Sequence, residues 1–157
     1  MTTLNGDDLS PHFRDMLNAL SDANVEFMIV GAYAMAAHGF PRATGDIDLW
    51  VRRSSENAQR IWKALLQFGA PLAQVTPDDF AAENIVYQIG LPPNRIDLLT
   101  SIDGIDFAAA LGDCQSIMID GRRISVIGKA SLIQNKRASG RPKDLLDAKR
   151  LEQSKDV

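Results

Sequence analysis

The chain has 157 residues, 45% of them hydrophobic, with 17 Lys plus Arg against 20 Asp plus Glu and a formal net charge of −3. That is enough apolar material for one globular domain with its own core, and it provides no global basic field to gather nucleic acid. Cys114 is the only cysteine, so an internal disulfide is excluded and a reducing cytoplasm is the expected compartment.

Met1 to Ser10 is polar and acidic, without the features of a signal peptide. Residues 1–9 and 153–157 are expected to be loosely packed ends of a single domain. Ser10 followed by Pro11 reads as an N-cap and a first helical turn, after which Phe13, Met16, Leu17 and Leu20 mark one face of an amphipathic helix. Phe27 to Val30 is a short apolar run suited to a buried strand. Good helix formers then follow Gly31 up to Ala37, and Gly39 and Pro41 stop them. The whole apolar stretch from Phe27 to Ala37 is too short to span a bilayer, so no membrane is expected. Gly31 itself leaves two readings open: a tight turn, or a bare backbone that lets phosphate approach a helix start.

The stretch Gly45-Asp46-Ile47-Asp48-Leu49-Trp50-Val51 is the one around which the chain is organised. Acids alternate with aliphatic residues at the period of a half-buried strand, which puts Asp46 and Asp48 on one face. Residues two apart on a strand are roughly 7 Å apart, close enough for two carboxylates to converge on a cation. A rigid strand with paired acids suits Mg²⁺, a hard ion that takes oxygen ligands. A wet strand face produces the same pattern, so the motif needs company.

Ser54 or Ser55 caps the next helix, whose inner face carries Ile61, Trp62, Leu65 and Leu66, and Gly69 ends it. Pro71 to Asp79 reads as loop. Ile85 to Ile89 and Arg95 to Leu99 form two strands across a four-residue connection, as in a hairpin. The second strand carries a lone acid, Asp97. Beside Asp46 and Asp48 it would complete a carboxylate cluster whose mutual repulsion calls for cations or a raised pKa. Facing solvent, or pairing with Arg95 on its own face, it would be an ordinary surface acid.

A short helix near Asp106 to Leu111 leads to a hairpin, Gln115 to Ile119 and Arg122 to Ile127, across the turn signal Asp120-Gly121. Two helices close the chain, Lys129 to Ala138 and Pro142 to Leu151. They hold Lys129, Lys136, Arg137, Arg141, Lys143, Lys149 and Arg150 against Asp144 and Asp147. Most basic helices simply carry a solvated face, yet this is also the densest positive stretch available to a triphosphate.

Taken in this order (strand, glycine, helix, D-x-D, a later lone acid) the chain resembles the DNA-polymerase-β-like nucleotidyltransferase superfamily. That superfamily's pattern is a Gly-Gly or Gly-Ser helix start followed by three acids, and the matching positions are Gly31-Ala32, Asp46 with Asp48, and Asp97. Arg42 and Thr44 match the R-x-T-x-D-I-D-L loop of compact bacterial members. Lys136 and the run Arg141-Pro142-Lys143-Asp144-Leu145-Leu146-Asp147 are similar to the K…R-x-K-D-x-x-D tail of abortive-infection and toxin-type members.

The resemblance implies an α+β (mixed α/β) nucleotidyltransferase fold: a central mixed sheet flanked by helices, with helices at the C-terminus. It implies two Mg²⁺ ions, with Mn²⁺ as a substitute, on Asp46, Asp48 and Asp97, and an NTP held by Gly31, Ala32, Arg42, Thr44, Arg141, Lys143, Asp144 and Asp147. Lys136 would join the three acids in catalysis, offsetting charge on the phosphates. Attack of a hydroxyl at the α-phosphorus would release pyrophosphate. RNA, protein and small molecules are all open as acceptors, as are an antitoxin or other protein partner and a homodimer. Ala32 departs from the pattern, since it brings no hydroxyl to a phosphate.

The rival reading is a non-catalytic nucleotide-binding or partner-binding module on the same fold. A metal nuclease ranks below it, because Glu83 is followed by Asn84 and Ile85 and not by the x-Lys of an E-x-K strand. A P-loop is excluded, since no G-x-x-x-x-G-K-[ST] occurs, and Gly31 opens no G-x-G-x-x-G. His12 and His38 are not counted as ligands; His38 reads as a residue at a helix C-terminus.

Overall fold

The computed structural model describes residues 4–154. The outermost parts of the two expected loose ends, residues 1–3 and 155–157, lie outside the described residues. Within them Leu4 and Leu9 are buried on either side of a short 3₁₀ turn, Gly6–Asp8.

The elements run α1 (Pro11–Asp22), β1 (Phe27–Val30), α2 (Gly31–Ala37), β2 (Asp46–Val51), α3 (Ser55–Phe68), β3 (Val86–Ile89), β4 (Arg95–Leu99), α4 (Phe107–Ala110), β5 (Gln115–Ile119), β6 (Arg122–Val126), α5 (Lys129–Ser139) and α6 (Pro142–Gln153). Their order follows from local chemistry. Ser10 and Ser54 cap α1 and α3 by accepting from Phe13 and Asn57 N–H groups, and Gly69 and Gly140 end α3 and α5 in the left-handed conformation that glycine adopts without strain. Pro142 at the first turn then starts α6 at once. The result is the expected mixed α/β architecture.

The strands form one six-stranded sheet in the order β3-β4-β2-β1-β6-β5. β2 runs antiparallel to β1 and parallel to β4, while β1 runs parallel to β6. β1 lies in the middle, and all four of its residues are buried, as an unbroken apolar run requires. In β2 the period of two sends Ile47, Leu49 and Val51 into the core at zero exposure. The opposite face holds Asp46 and Asp48, then Trp50, which packs edge-on to Phe107 of α4 with ring centroids 5.1 Å apart. That face changes from polar to buried within one strand.

Two polar side chains fix the frame. Buried Asn57 at the start of α3 accepts from Glu26 N–H at 2.8 Å and donates to the Glu26 and Arg52 carbonyls, tying α3 to the outer ends of β1 and β2. Asp113 accepts from the N–H and hydroxyl of Ser131, anchoring the first turn of α5. The segment expected as loop from Pro71 to Asp79 ends in a 3₁₀ turn, Pro77–Ala81, whose Phe80 is fully buried. A lone aromatic after a polar run leaves no periodicity to read.

Candidate active site

The register decides where the acids meet. In the parallel pair β2–β4, Asp46 lies opposite Arg95 and Asp48 opposite Asp97, so all four side chains project from one sheet face. Carboxylate oxygens of Asp46, Asp48 and Asp97 lie within 4.8 Å of one another. The lone acid of the later strand therefore joins the D-x-D pair, as the sequence pattern requires. Its pairing with Arg95 exists as well: both arrangements hold at once.

Arg95 Nη2 donates to Asp46 Oδ2 at 2.8 Å and to Asp97 Oδ2 at 3.3 Å, and Arg95 Nε stands 3.0 Å from Asp97 Oδ1. That last contact is close in distance but poorly aligned, so both buried atoms are left without a hydrogen bond. Thr44 Oγ1 donates to Asp46 Oδ1 at 2.9 Å. Asp48 has no ion-pair partner among the described residues. Three oxygen donors in one cluster, one with an unmatched buried oxygen, fit a hard divalent cation such as Mg²⁺.

The electrostatics follow from these contacts. Burial, reinforced by the charges of Asp46 and Asp97, pushes the Asp48 carboxyl up to about 7. Burial also raises Asp97, against the pull of Arg95. Burial works to raise Asp46 too, but hydrogen bonds from Thr44 and Arg95 overcome it and hold that carboxyl below its usual range.

The start of α2 closes one side of the cluster. Gly31 has φ +71, and a Cβ there would fall 2.2 Å from Asp48 Oδ2. The glycine has a purpose not read from the sequence: it makes room for the second acid of the D-x-D. His38, at the C-cap of α2, has Nε2 2.8 Å from the Ile127 carbonyl oxygen, away from the acids.

The opposite wall comes from α5 and α6. Arg42 grips Asp147 with both terminal nitrogens, at 2.9 and 3.1 Å. Lys136 Nζ reaches Asp147 at 3.1 Å and Asp144 at 3.4 Å, and Asp144 also accepts from Ser139 and Arg141. Burial opposes ionisation of Asp144 and Asp147, yet these donors hold both carboxyls below the usual range. Lys136 and Asp147 are buried.

Between the two walls lies a cleft of about 440 Å³, lined by Gly31, Ala32, Thr44, Asp46, Asp48 and Lys143 among others. Every nucleotide-site position read from the sequence borders it, from Gly31 to Asp147. Asp97 does not itself line the cleft; it is buried within the carboxylate cluster it forms with the lining acids Asp46 and Asp48. Of the basic tail, Lys136, Arg141 and Lys143 reach the cleft, whereas Lys129 bonds the Ser154 carbonyl and Arg137 pairs with Glu152.

Arg95 is the residue the sequence reading placed outside the site. Its signal was present, since i and i+2 on a strand share a face. Ser101, Asp103 and Asn135 also line the cleft, and their loop and helix positions carried no motif.

With this geometry in hand, the chain is seen to have the fold of the nucleotidyltransferases. It superposes on a Thermotoga maritima protein designated a candidate nucleotidyltransferase, with TM-score 0.61 and 14% identity over 96% of this chain and 94% of that one. It superposes also on ANT(2″)-Ia, solved in complex with adenylyl-2″-tobramycin, with TM-score 0.55 and 19% identity over 88% of this chain and 84% of that one. No family model matches the chain, and no curated protein matches it either. Among the described residues no helix is long and apolar enough to cross a membrane.

Proposed function

We propose that the protein is a metal-dependent nucleotidyltransferase that moves an NMP from an NTP to a hydroxyl acceptor and releases pyrophosphate. The observation that carries this reading is the clustering of three carboxylates beside a cleft whose other wall sets Arg42, Lys136, Arg141 and Lys143 against Asp144 and Asp147. An NTP carrying divalent ions has the complementary polarity. Bound at Asp46, Asp48 and Asp97, two Mg²⁺ ions, or Mn²⁺ in their place, would neutralise the phosphates and acidify the acceptor hydroxyl.

The chain's own groups do the rest. Gly31 and Ala32 line the cleft, and their backbone N–H groups would serve as donors to phosphate oxygens. Lys143 and Arg141 offer charge at the mouth. Thr44 holds Asp46 in place. The fork of Arg42 on Asp147 fixes α6 to the loop that leads into β2. Lys136, packed between Asp144 and Asp147, supplies positive potential from the roof of the cleft to charge developing on the leaving phosphates. Asp97, whose carboxyl is raised by burial against the pull of Arg95, would help to take the acceptor's proton.

The acceptor is RNA, a protein or a small molecule, and the solved adenylyl-tobramycin complex makes an aminoglycoside hydroxyl a concrete one to try. The R-x-K-D-x-x-D tail supports a role as one half of a toxin–antitoxin or abortive-infection pair, acting in the cytoplasm with a protein partner or as a homodimer. The test is incubation with α-labelled NTPs, Mg²⁺ and either tobramycin or fractionated cell extract, following label on the acceptor and pyrophosphate in solution. Label transfer that survives in Asp46→Asn/Asp48→Asn defeats the reading. A second reading, nucleotide binding without turnover, is favoured by Ala32, which offers no hydroxyl to a phosphate. It predicts NTP binding by calorimetry with no pyrophosphate from any acceptor fraction.

A further inference from the structure

Among the described residues, Arg95 contacts the acid cluster yet has no part in the reaction as described. Its guanidinium lies against two of the three carboxylates, on the same strand face and in register with them. It meets both oxygens of Asp97, one aligned and one not, and takes one oxygen of Asp46; Thr44 takes the other. Of the three, only the Asp48 carboxylate is left without a cationic or hydroxyl partner among the described residues.

We propose that Arg95 is an internal counter-cation that competes with the divalent ion reaching Asp97, so that the site takes its ions one after the other. The inference rests on the metal-dependent reading above. An ion held by Asp48 with help from Asp46 would leave the guanidinium where it is. An ion that also reaches Asp97 must share oxygens with a fixed positive charge or push it aside, and like charges a few Å apart repel strongly in a partly buried site. The Arg95 side chain is 29% exposed, which leaves it a way out toward solvent.

The asymmetry has a chemical consequence. Three clustered carboxylates would otherwise collect ions whether or not a nucleotide were present. With Arg95 in place the acid cluster is partly neutralised from within. The Asp97 position is then filled when a substrate brings enough further anionic charge to hold a second cation.

Arg95 could instead be a permanent brace that presents Asp46 and Asp97 to the metal. The two roles differ in sign. Removing a brace loosens the carboxylates and weakens ion binding; removing a competitor tightens it. A lysine keeps the charge and discards the planar fork, so the conservative variant separates charge from geometry.

The experiment is a titration of the full chain with Mn²⁺ alone, free ion being counted by its EPR signal, for the wild type, Arg95→Gln, Arg95→Lys and Asp48→Asn. The expected result is a weak second ion in the wild type that binds at least about ten-fold tighter in Arg95→Gln, with Arg95→Lys within about three-fold of the wild type. Unchanged or weaker Mn²⁺ binding by an Arg95→Gln chain that melts cooperatively overturns the proposal. Should Arg95→Gln not fold, phenylglyoxal labelling of the wild type decides: saturating Mn²⁺ is expected to speed modification of Arg95, and an unchanged or slower rate overturns the proposal. Mn²⁺ binding that is lost in Asp48→Asn but indifferent to Arg95→Gln ends this inference alone. A wild type that binds no Mn²⁺, or an Asp48→Asn chain that binds like it, ends the metal reading as well.

Discussion

Asp48 and Asp97 stand directly opposite one another on neighbouring parallel strands, with no lysine or arginine paired to Asp48 among the described residues. Burial of Asp48, reinforced by the charges of Asp46 and Asp97, gives the metal-free site a proton to hold. The Asp48 carboxyl is raised to about 7, far above the value it has in an unfolded chain. Such a group favours folding at low pH, and that contribution fades as pH climbs between the unfolded value and about 7. The metal-free protein is therefore expected to lose stability from pH 5 to pH 8, and Asp48→Asn to be the more stable protein at pH 8, by about 1–3 kcal/mol. Urea unfolding at the two pH values, in chelator, checks both. A wild type that is more stable at pH 8 through this group contradicts the burial argument.

The same proton must leave before an ion can bind. Mn²⁺ affinity should rise as pH increases through about 7 and level off above it, with close to one proton released per ion below that value. Calorimetry in two buffers of different ionisation enthalpy reads the proton directly. Binding without pH dependence between 6 and 8 would place the ion elsewhere.

Gly31→Ala tests the approach of α2 to the acid strand. An alanine meets two obstacles there: a left-handed φ of +71 and an Asp48 oxygen 2.2 Å from the new Cβ. The strained backbone alone costs about 1–3 kcal/mol, and relieving the overlap turns the Asp48 carboxylate out of the cluster. Both the melting temperature and Mn²⁺ affinity are expected to fall. A variant that loses stability but keeps full affinity would show that the clash is relieved by α2 and not by Asp48.

The D-x-D strand, the lone acid, the glycine and the basic tail could all be read from the sequence because each depends on short-range periodicity or turn chemistry. Asp46 and Asp48 share a face because residues two apart on any strand do. What the sequence withheld was pairing. Arg95 looked like a partner for Asp97 or nothing, because only the parallel register of β2 on β4 carries its guanidinium to Asp46 as well. Arg42 and Asp147 are 105 positions apart, and no local pattern announces that they close a fork. Tertiary ion pairs of this kind are settled by topology, which motifs order but do not measure. Phe80 shows the same limit in the core.

Two buried polar groups separate frame from site. Asn57 is 1% exposed and satisfies three backbone groups around the ends of β1 and β2, on the far side of the strands from the acids. Replacing it with alanine strands those groups in the interior and is expected to cost about 2–4 kcal/mol while leaving Mn²⁺ affinity near that of the wild type. Asp147 is 2% exposed and holds Arg42 and Lys136 together. Asp147→Asn leaves two cations facing one another with reduced compensation, which is expected to cost about 2–3 kcal/mol. Because Arg42 then loses its bidentate anchor, the loop that delivers Thr44 to Asp46 loosens. The expected signature is a drop in melting temperature for both variants, with NTP affinity falling only in Asp147→Asn. Equal loss of NTP affinity in the two would mean that the fork of Arg42 on Asp147 supports the fold in general and not the cleft.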